Sequence, residues 1–183
     1  MKVSASSVFP EVLVIEPAVF EDSRGYFLET YHHRRYREHG IPAAFVQDNL
    51  SYSKKGVLRG LHYQIGRPQG KLVWAVRGEV YDVVVDMRRS SPTFGKWFGT
   101  KLGEACPKQI YVPEGFAHGF CVTSEDAVFC YKCTEYYSPK HERGVRWNDP
   151  DLAIEWPIAE PMLSQKDRDL PLLRDVREED LFD

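Results

Sequence analysis

Short segments rich in Val, Tyr and Phe recur along the chain, and Gly, Pro, Asn or Asp separates each from the next. Such segments are typical of β-strands bounded by turns. So many short strands favour an all-β sandwich or barrel. The predicted strands are 11–15, 25–30, 57–64, 71–76, 79–87, 96–102, 109–112, 116–123 and 127–135.

Two local patterns predict how some of these elements connect. Only Arg77 and Gly78 separate the strands predicted at 71–76 and 79–87, and this short turn predicts a β-hairpin. A charged run over 31–39 is followed by Gly40, a residue that commonly follows a helix end, so one helix is predicted there.

The chain changes character near its C-terminus. After Trp147 the alternating strand pattern stops and Pro residues punctuate the sequence. The length of 183 residues fits one ordinary domain. We therefore expect a single domain over 1–183, with a tail from about residue 148 that packs on its body.

Composition excludes several classes of protein. The chain is 43% hydrophobic with a net charge of −3, so it should fold and has no overall field to attract nucleic acid or an anionic membrane. The apolar run 12–15 is far shorter than the roughly 18 residues of a membrane span. We expect a cytoplasmic protein with reduced thiols, because four cysteines are too few for a disulfide scaffold: Cys106, Cys121, Cys130 and Cys133.

The segment 57–64 is the richest in candidate chemistry. It places Arg59 and His62 on an otherwise apolar strand, where a purely structural strand favours neither residue. Strict alternation sends these two side chains to opposite faces of the strand. A shared site therefore requires a local break, and Gly60 is a plausible position for a bulge.

Two further candidates come with structural alternatives. His118 stands between small residues that let a ligand approach the backbone, but it could equally be a loop histidine. Arg24 lies beside a glycine, and Phe27 and Glu29 follow on one face of the next predicted strand. An edge strand with ordinary charged residues explains this second pattern as well.

Tyr131 and Asp167 could supply acid–base chemistry. Tyr131 shares the face of Phe129, where a buried phenol needs a hydrogen-bond partner and could act as an acid, although structural tyrosines are commoner. Asp167 follows Ser164 at the spacing of a helix-start box, and spacing alone favours this capping role.

Metal chemistry is disfavoured. Strand spacing sends Cys130 and Cys133 to opposite faces, and no second Cys pair follows. A metal-dependent β-barrel enzyme usually supplies several convergent imidazoles, yet His62 is followed by Tyr63 and a glutamine.

Taken together, several blocks in order resemble the dTDP-4-dehydrorhamnose 3,5-epimerases, jelly-roll proteins of the cupin superfamily. The resemblance covers about residues 8 to 171. The blocks are DSRG at 22–25, FVQDN at 45–49, VLRGLH at 57–62, GK at 70–71, GFAHGF at 115–120, YYSP at 136–139, WND at 147–149 and SQKD at 164–167.

The resemblance implies a cupin-like jelly roll with a few short helices at its periphery. It implies a homodimer that uses no cofactor and no metal. His62 is then the base, Asp167 the carboxylate that orients it, Tyr131 the acid on the opposite sugar face, and Lys71 the group that stabilises the enolate oxygen. Tyr137 would stack on thymine, and the other implied binding residues are Arg24, Phe27, Glu29, Gln47, Asn49, Arg59, His118, Glu142 and Lys166, with Lys71 also contacting the substrate.

The implied reaction is epimerisation at C3 and C5 of dTDP-4-keto-6-deoxy-D-glucose, which gives dTDP-4-keto-L-rhamnose for dTDP-L-rhamnose biosynthesis. An enzyme that inverts only C3 of a related sugar needs the same base and enolate stabiliser, so it stays as the alternative. A metal-dependent cupin and a non-catalytic nucleotide-sugar binder fit less well. The first lacks convergent histidines, and the second could dispense with the base.

Overall fold

A computed structural model of the chain describes residues 1–41, 44–105 and 107–183. Its strands are β1 (Lys2–Ala5), β2 (Leu13–Glu16), β3 (Val19–Asp22), β4 (Gly25–Leu28), β5 (Gln47–Lys54), β6 (Leu58–Gln64), β7 (Lys71–Arg77), β8 (Glu79–Asp86), β9 (Trp97–Gly103), β10 (Gln109–Val112), β11 (Phe116–Val122), β12 (Asp126–Cys133) and β13 (Glu142–Gly144). Its α-helices are α1 (His33–Glu38) and α2 (Gln165–Arg168), and short 3₁₀ turns cover Pro139–His141, Leu173–Asp175 and Glu178–Asp180.

Two antiparallel sheets form the body of the protein. The first has the strand order β1-β2-β10-β7-β12-β5, and the second has the order β13-β6-β11-β8-β9. Strands β3 and β4 form a separate two-stranded hairpin. The predicted all-β sandwich is therefore confirmed, and α1 confirms a helix within 31–39.

The predicted hairpin between 71–76 and 79–87 is wrong. Strand β7 pairs with β10 and β12 in the first sheet, whereas β8 pairs with β9 and β11 in the second. Gly78, at a φ of +72°, turns the chain from one sheet to the other. This arrangement lets Val73 and Val84 enter one core from opposite sides, a gain that the turn spacing alone does not reveal.

The main core lies between the two sheets. It joins Val73 and Phe129 of the first sheet to Val84 and Phe120 of the second. The rings of Phe120 and Phe129 stack with their centroids 4.1 Å apart. The same two rings also line a cavity, so the core ends where this cavity begins.

The segment after β13 carries α2 and several 3₁₀ turns but no further named strand among the described residues. Leu152, Trp156 and Phe182 pack against a second apolar cluster, which contains Leu61 and Val83. This tail therefore covers the outer face of the second sheet.

Three cysteines, Cys121, Cys130 and Cys133, are free thiols, and Cys106 lies outside the described residues. Within the ranges given above, none of the helices has the length and apolar character needed to cross a membrane.

Candidate active site

A cavity of about 390 Å³ opens between the two sheets. All four residues predicted to be catalytic line it: His62, Lys71, Tyr131 and Asp167. So do most of the predicted binding residues, namely Gln47, Asn49, Arg59, His118, Tyr137, Glu142 and Lys166. Residues up to about 120 positions apart in the chain thus share one concave surface, which is where binding sites are usually found.

Strands β7, β12 and β5 build one wall of the cavity. Cys133 lies directly opposite Lys71 on one side and Gln47 on the other. Tyr131 lies opposite Asn49 in the next row. Residues that face each other across antiparallel strands point to the same side of the sheet, so these side chains all enter the cavity.

Strands β6 and β11 build the opposite wall, and they contain the predicted break. The pairing register shifts between His118 and Phe120, opposite Arg59 and His62. Gly60 has a φ of +132°, and a Cβ there would lie 2.5 Å from the Cα atom of Gly119. The bulge at Gly60 is confirmed, and it lets Arg59 and His62 line the same cavity.

His62 and Asp167 form a hydrogen-bonded pair at 2.6 Å between Nε2 and Oδ1. Ser164 accepts from the Asp167 backbone N–H at 3.1 Å and donates to Oδ2 at 2.8 Å. The predicted helix cap is therefore present, and the same carboxylate also contacts His62, so the capping geometry does not exclude a role in the site. Burial alone would raise the pKa of the Asp167 carboxyl, but His62 and Ser164 hold that pKa below its ordinary value. The carboxylate stays ionised.

Burial shifts the pKa values of both Lys71 and Tyr131. Burial lowers the pKa of the Lys71 ammonium, although electrostatic interactions with Cys133, Glu142 and Asp82 oppose this effect. Burial also raises the pKa of the Tyr131 phenol, so the phenol keeps its proton at neutral pH. Lys71 therefore brings a poorly hydrated cation to the cavity, and Tyr131 brings a proton donor.

Sequence reasoning missed Asp82, which anchors one of the cavity histidines. The Asp82 Oδ2 atom accepts a hydrogen bond from Nε2 of His118 at 2.8 Å, and burial raises the pKa of this carboxyl. His118 lies in β11, so the loop alternative for it is wrong. The sequence does contain a signal for Asp82, because a carboxylate interrupts the apolar run 79–87. Arg59 and His62 are identified by the same kind of interruption in the run 57–64.

A chain of polar contacts surrounds the mouth of the cavity. The Tyr137 backbone N–H donates to Oε1 of Gln47 at 2.8 Å, and the Tyr137 hydroxyl donates to Oε2 of Glu142 at 2.7 Å. Glu142 also pairs with the Lys166 ammonium at 2.5 Å. Arg59, which also lines the cavity, donates from Nε to Oγ of Ser53 at 3.1 Å and from Nη2 to the Tyr52 carbonyl at 3.5 Å.

Three predicted binding residues lie outside the cavity, on or next to the β3–β4 hairpin. The Arg24 side chain is 88% exposed and pairs with Asp22 on the β3–β4 hairpin. Phe27, on the same hairpin, is 69% exposed. Glu29 follows the hairpin and pairs with Arg35 at 3.0 Å. None of the three lines the cavity formed by the described residues of this single chain.

Comparison with known proteins gives consistent matches along almost the whole chain. A family model described as dTDP-4-dehydrorhamnose 3,5-epimerase matches residues 6–175. A dTDP-4-dehydrorhamnose 3,5-epimerase of Pseudomonas aeruginosa is 56% identical over 161 residues, covering 87% of this chain and 89% of the relative. A dTDP-4-dehydrorhamnose 3-epimerase of Streptomyces niveus is 46% identical, covering 92% of this chain and 82% of the relative.

A solved structure also matches the fold. The dTDP-6-deoxy-D-glucose-3,5-epimerase of Legionella pneumophila, crystallised in complex with dTDP-4-keto-L-rhamnose, superposes with a TM-score of 0.96. It shares 48% sequence identity, and the match covers 99% of this chain and 97% of the other. The similarity therefore extends over both sheets and the tail.

Proposed function

Because the chain belongs to the dTDP-4-dehydrorhamnose 3,5-epimerase family, we propose that its central cavity binds dTDP-4-keto-6-deoxy-D-glucose and performs the reaction with His62, Lys71, Tyr131 and Asp167. The protein is an epimerase that inverts C3 and C5 of a dTDP-4-keto sugar in rhamnose biosynthesis. The observation that carries the assignment of residues is the His62–Asp167 pair, in which the carboxylate is buried and the imidazole partly buried. This pair faces the same cavity as a half-buried lysine and a half-buried tyrosine.

His62 is the base in this proposal. The C3 and C5 hydrogens both flank the C4 carbonyl, so loss of either proton places negative charge on the C4 oxygen as an enolate. An imidazole suits such proton transfer at neutral pH. Asp167 accepts the hydrogen bond from Nε2, which leaves Nδ1 to take the proton. Its carboxylate also stabilises the imidazolium that results.

Lys71 and Tyr131 complete the reaction. The Lys71 ammonium stabilises the charge that grows on the C4 oxygen, and such a cation acts strongly in a cavity that excludes water. Inversion needs a proton from the face opposite the base. Tyr131 stands on β12 in the first sheet, whereas His62 stands on β6 in the second. A sugar between the two sheets would therefore meet the base on one face and the phenol on the other.

The mouth of the cavity suits the nucleotide. Arg59, His118 and Lys166 bring cationic or hydrogen-bonding groups toward a diphosphate, and arginine matches phosphate with paired N–H donors. The half-exposed ring of Tyr137 offers a surface on which thymine can stack. A chain with a net charge of −3 can thus bind an anion through a local cluster.

The decisive test is NMR of the protein with dTDP-4-keto-6-deoxy-D-glucose in heavy water, with a 4-keto reductase added to trap the product. We expect deuterium at both C3 and C5 and a trapped L-sugar, because both hydrogens are acidified by the same carbonyl. Deuterium at C3 alone would identify the C3-only alternative. Absence of deuterium at both carbons would contradict the function.

We further propose that the protein acts in the cytoplasm as a homodimer, with the β3–β4 hairpin of each subunit completing its partner's cavity. Two observations support the dimer. The hairpin pairs with neither main sheet, and it exposes three aromatic side chains, Phe20, Tyr26 and Phe27. Exposed apolar patches of this kind often mark interfaces. The three free cysteines fit a reducing compartment.

Mixed dimers test the shared site. Arg24→Ala should lower kcat/KM at least roughly 10-fold, because it removes a charge-assisted hydrogen bond to phosphate. His62→Asn should lower activity about 10³-fold, so its own contribution to the mixture is negligible. In a randomly reassorted mixture of the two variants, one site in about four should regain both native residues, since a two-fold dimer has two equivalent sites. Activity at low substrate concentration should therefore recover to about a quarter of the native rate. No recovery would mean that Arg24 serves its own subunit.

A further inference from the structure

Glu142 stands between the two ends of the cavity. At the mouth, its Oε2 atom accepts a hydrogen bond from the Tyr137 hydroxyl at 2.7 Å. Its Oε1 atom pairs with the Lys166 ammonium at 2.5 Å. Lys166 is followed directly by Asp167, whose carboxylate holds the His62 imidazole at 2.6 Å. Short polar contacts thus link Tyr137 through Glu142 to Lys166, and the backbone of α2 links Lys166 to the catalytic pair.

The helix that carries Lys166 and Asp167 is only four residues long. Consecutive side chains from its first turn tie it to adjacent strands, because Lys166 reaches Glu142 on β13 and Asp167 reaches His62 on β6. These two strands pair with Gly144 opposite His62. A displacement of Lys166 from Glu142 should therefore also displace Asp167 from His62.

The Glu142 carboxylate is well placed to act through charge. Its side chain is only 15% exposed, so water screens its interactions weakly. Burial alone would raise the pKa of this carboxyl, but hydrogen bonds from Lys166 and Tyr137, and then the charge of His62, hold that pKa below its ordinary value. The same hydrogen bond raises the pKa of the Tyr137 phenol to about 12, so the phenol remains the donor.

We propose that Glu142 is a positioning residue that couples recognition of the nucleoside diphosphate to proton abstraction, because its ion pair with Lys166 holds Asp167 against His62. This inference rests on the proposed function. It differs from a simple binding role for Glu142, which would affect substrate affinity alone. A planar base that stacks on Tyr137 and a diphosphate that contacts Lys166 both act on Glu142, and through it on the alignment of the base.

The test is Glu142→Gln, assayed by deuterium incorporation at C3 and C5. Glutamine keeps an oxygen that accepts from Tyr137 but loses the charge that holds Lys166. We expect kcat to fall about 10-fold while KM changes less than about 3-fold, since only the aligned catalytic pair is lost. In the Asp167→Asn background the same substitution should lower kcat less than about 2-fold further, because the residue through which it acts is already altered.

Several outcomes would overturn the coupling. A large rise in KM with unchanged kcat would make Glu142 a binding residue only. Multiplicative effects of the Glu142 and Asp167 substitutions would mean that the two act independently. If Glu142→Gln does not fold, Lys166→Met removes the same ion pair from a half-exposed side chain. It should give the same loss in kcat, together with a higher KM because Lys166 also contacts the diphosphate, and an unchanged kcat would overturn the coupling.

Matched controls separate the coupling from the function. Glu125→Gln breaks the surface pair with Lys55 and should leave both kinetic constants unchanged. The native protein is measured in the same series. Absence of exchange in the native protein would reject the function together with the coupling, whereas native exchange with a change in KM alone would reject only the coupling.

Discussion

His62→Asn should lower the rates of deuterium incorporation at C3 and at C5 together, each by about 10³-fold, because one general base serves both carbons. Asparagine removes the titrating nitrogen but keeps an amide that can donate to Asp167. The side chain is partly buried and its partner is only 5% exposed, so a polar group of similar size should preserve the fold. Separate exchange rates at the two carbons, followed by NMR, check this expectation.

Two controls make that result interpretable. Thermal unfolding and affinity for dTDP should be unchanged, since neither depends on proton transfer. His33→Asn, on the exposed surface of α1, should exchange both hydrogens at the native rate. Persistent exchange at C5 alone in the His62 variant would show that a second base serves C5, and the assignment of a single base would then be wrong.

One strand of the cavity wall, β5, could not be predicted from the alternation of apolar and polar residues. Strand β5 is not predicted from the sequence because polar residues face inward and its apolar residues face solvent, the reverse of an ordinary strand. Gln47 and Asn49 face the cavity, whereas Leu50 and Tyr52 are exposed, so no ordinary alternation of buried apolar residues is present. The rules for strands assume an apolar inner face. A strand that lines a polar cavity therefore escapes them, although the motif 45–49 identified its residues by resemblance.

The second sheet shows the opposite case. Arg59, His62 and Asp82 stand out because charged or titratable groups interrupt apolar runs, and such interruptions need a compensating partner. The apolar segments themselves do not reveal which residue is the compensating partner. Asp167 is 105 residues away from His62, and Asp82 is 36 residues away from His118. The pairing of β8 with β11 brings Asp82 to His118, and the contact of α2 with β6 brings Asp167 to His62. Neither long-range contact follows from local sequence patterns.

Lys71→Met should lower kcat at both carbons by about 10²–10³-fold, the usual cost of removing one donor to a developing oxyanion. Methionine matches the length and apolar stem of lysine, so the cavity should keep its shape and KM should change little. The rate of exchange at saturating substrate measures this effect. Lys101→Met is the matched control, because that lysine pairs with Glu79 on the surface and its loss should not alter exchange. A large rise in KM with unchanged kcat would instead mean that Lys71 only binds substrate.

The pH dependence of Lys71 provides an independent check. Burial lowers the pKa of its ammonium from the ordinary 10.5, so its charge, which we propose stabilises the enolate, is lost at a lower pH than for an exposed lysine. The native kcat should therefore decline early on the alkaline side. Lys71→Arg keeps its charge at any accessible pH, since arginine does not deprotonate in proteins. If Lys71 supplies the oxyanion cation, the arginine variant should be slower at neutral pH, because its larger head fits the cavity poorly, but should lose this alkaline decline. An unchanged decline in that variant would assign it to another group, with the Tyr131 phenol as the first to examine.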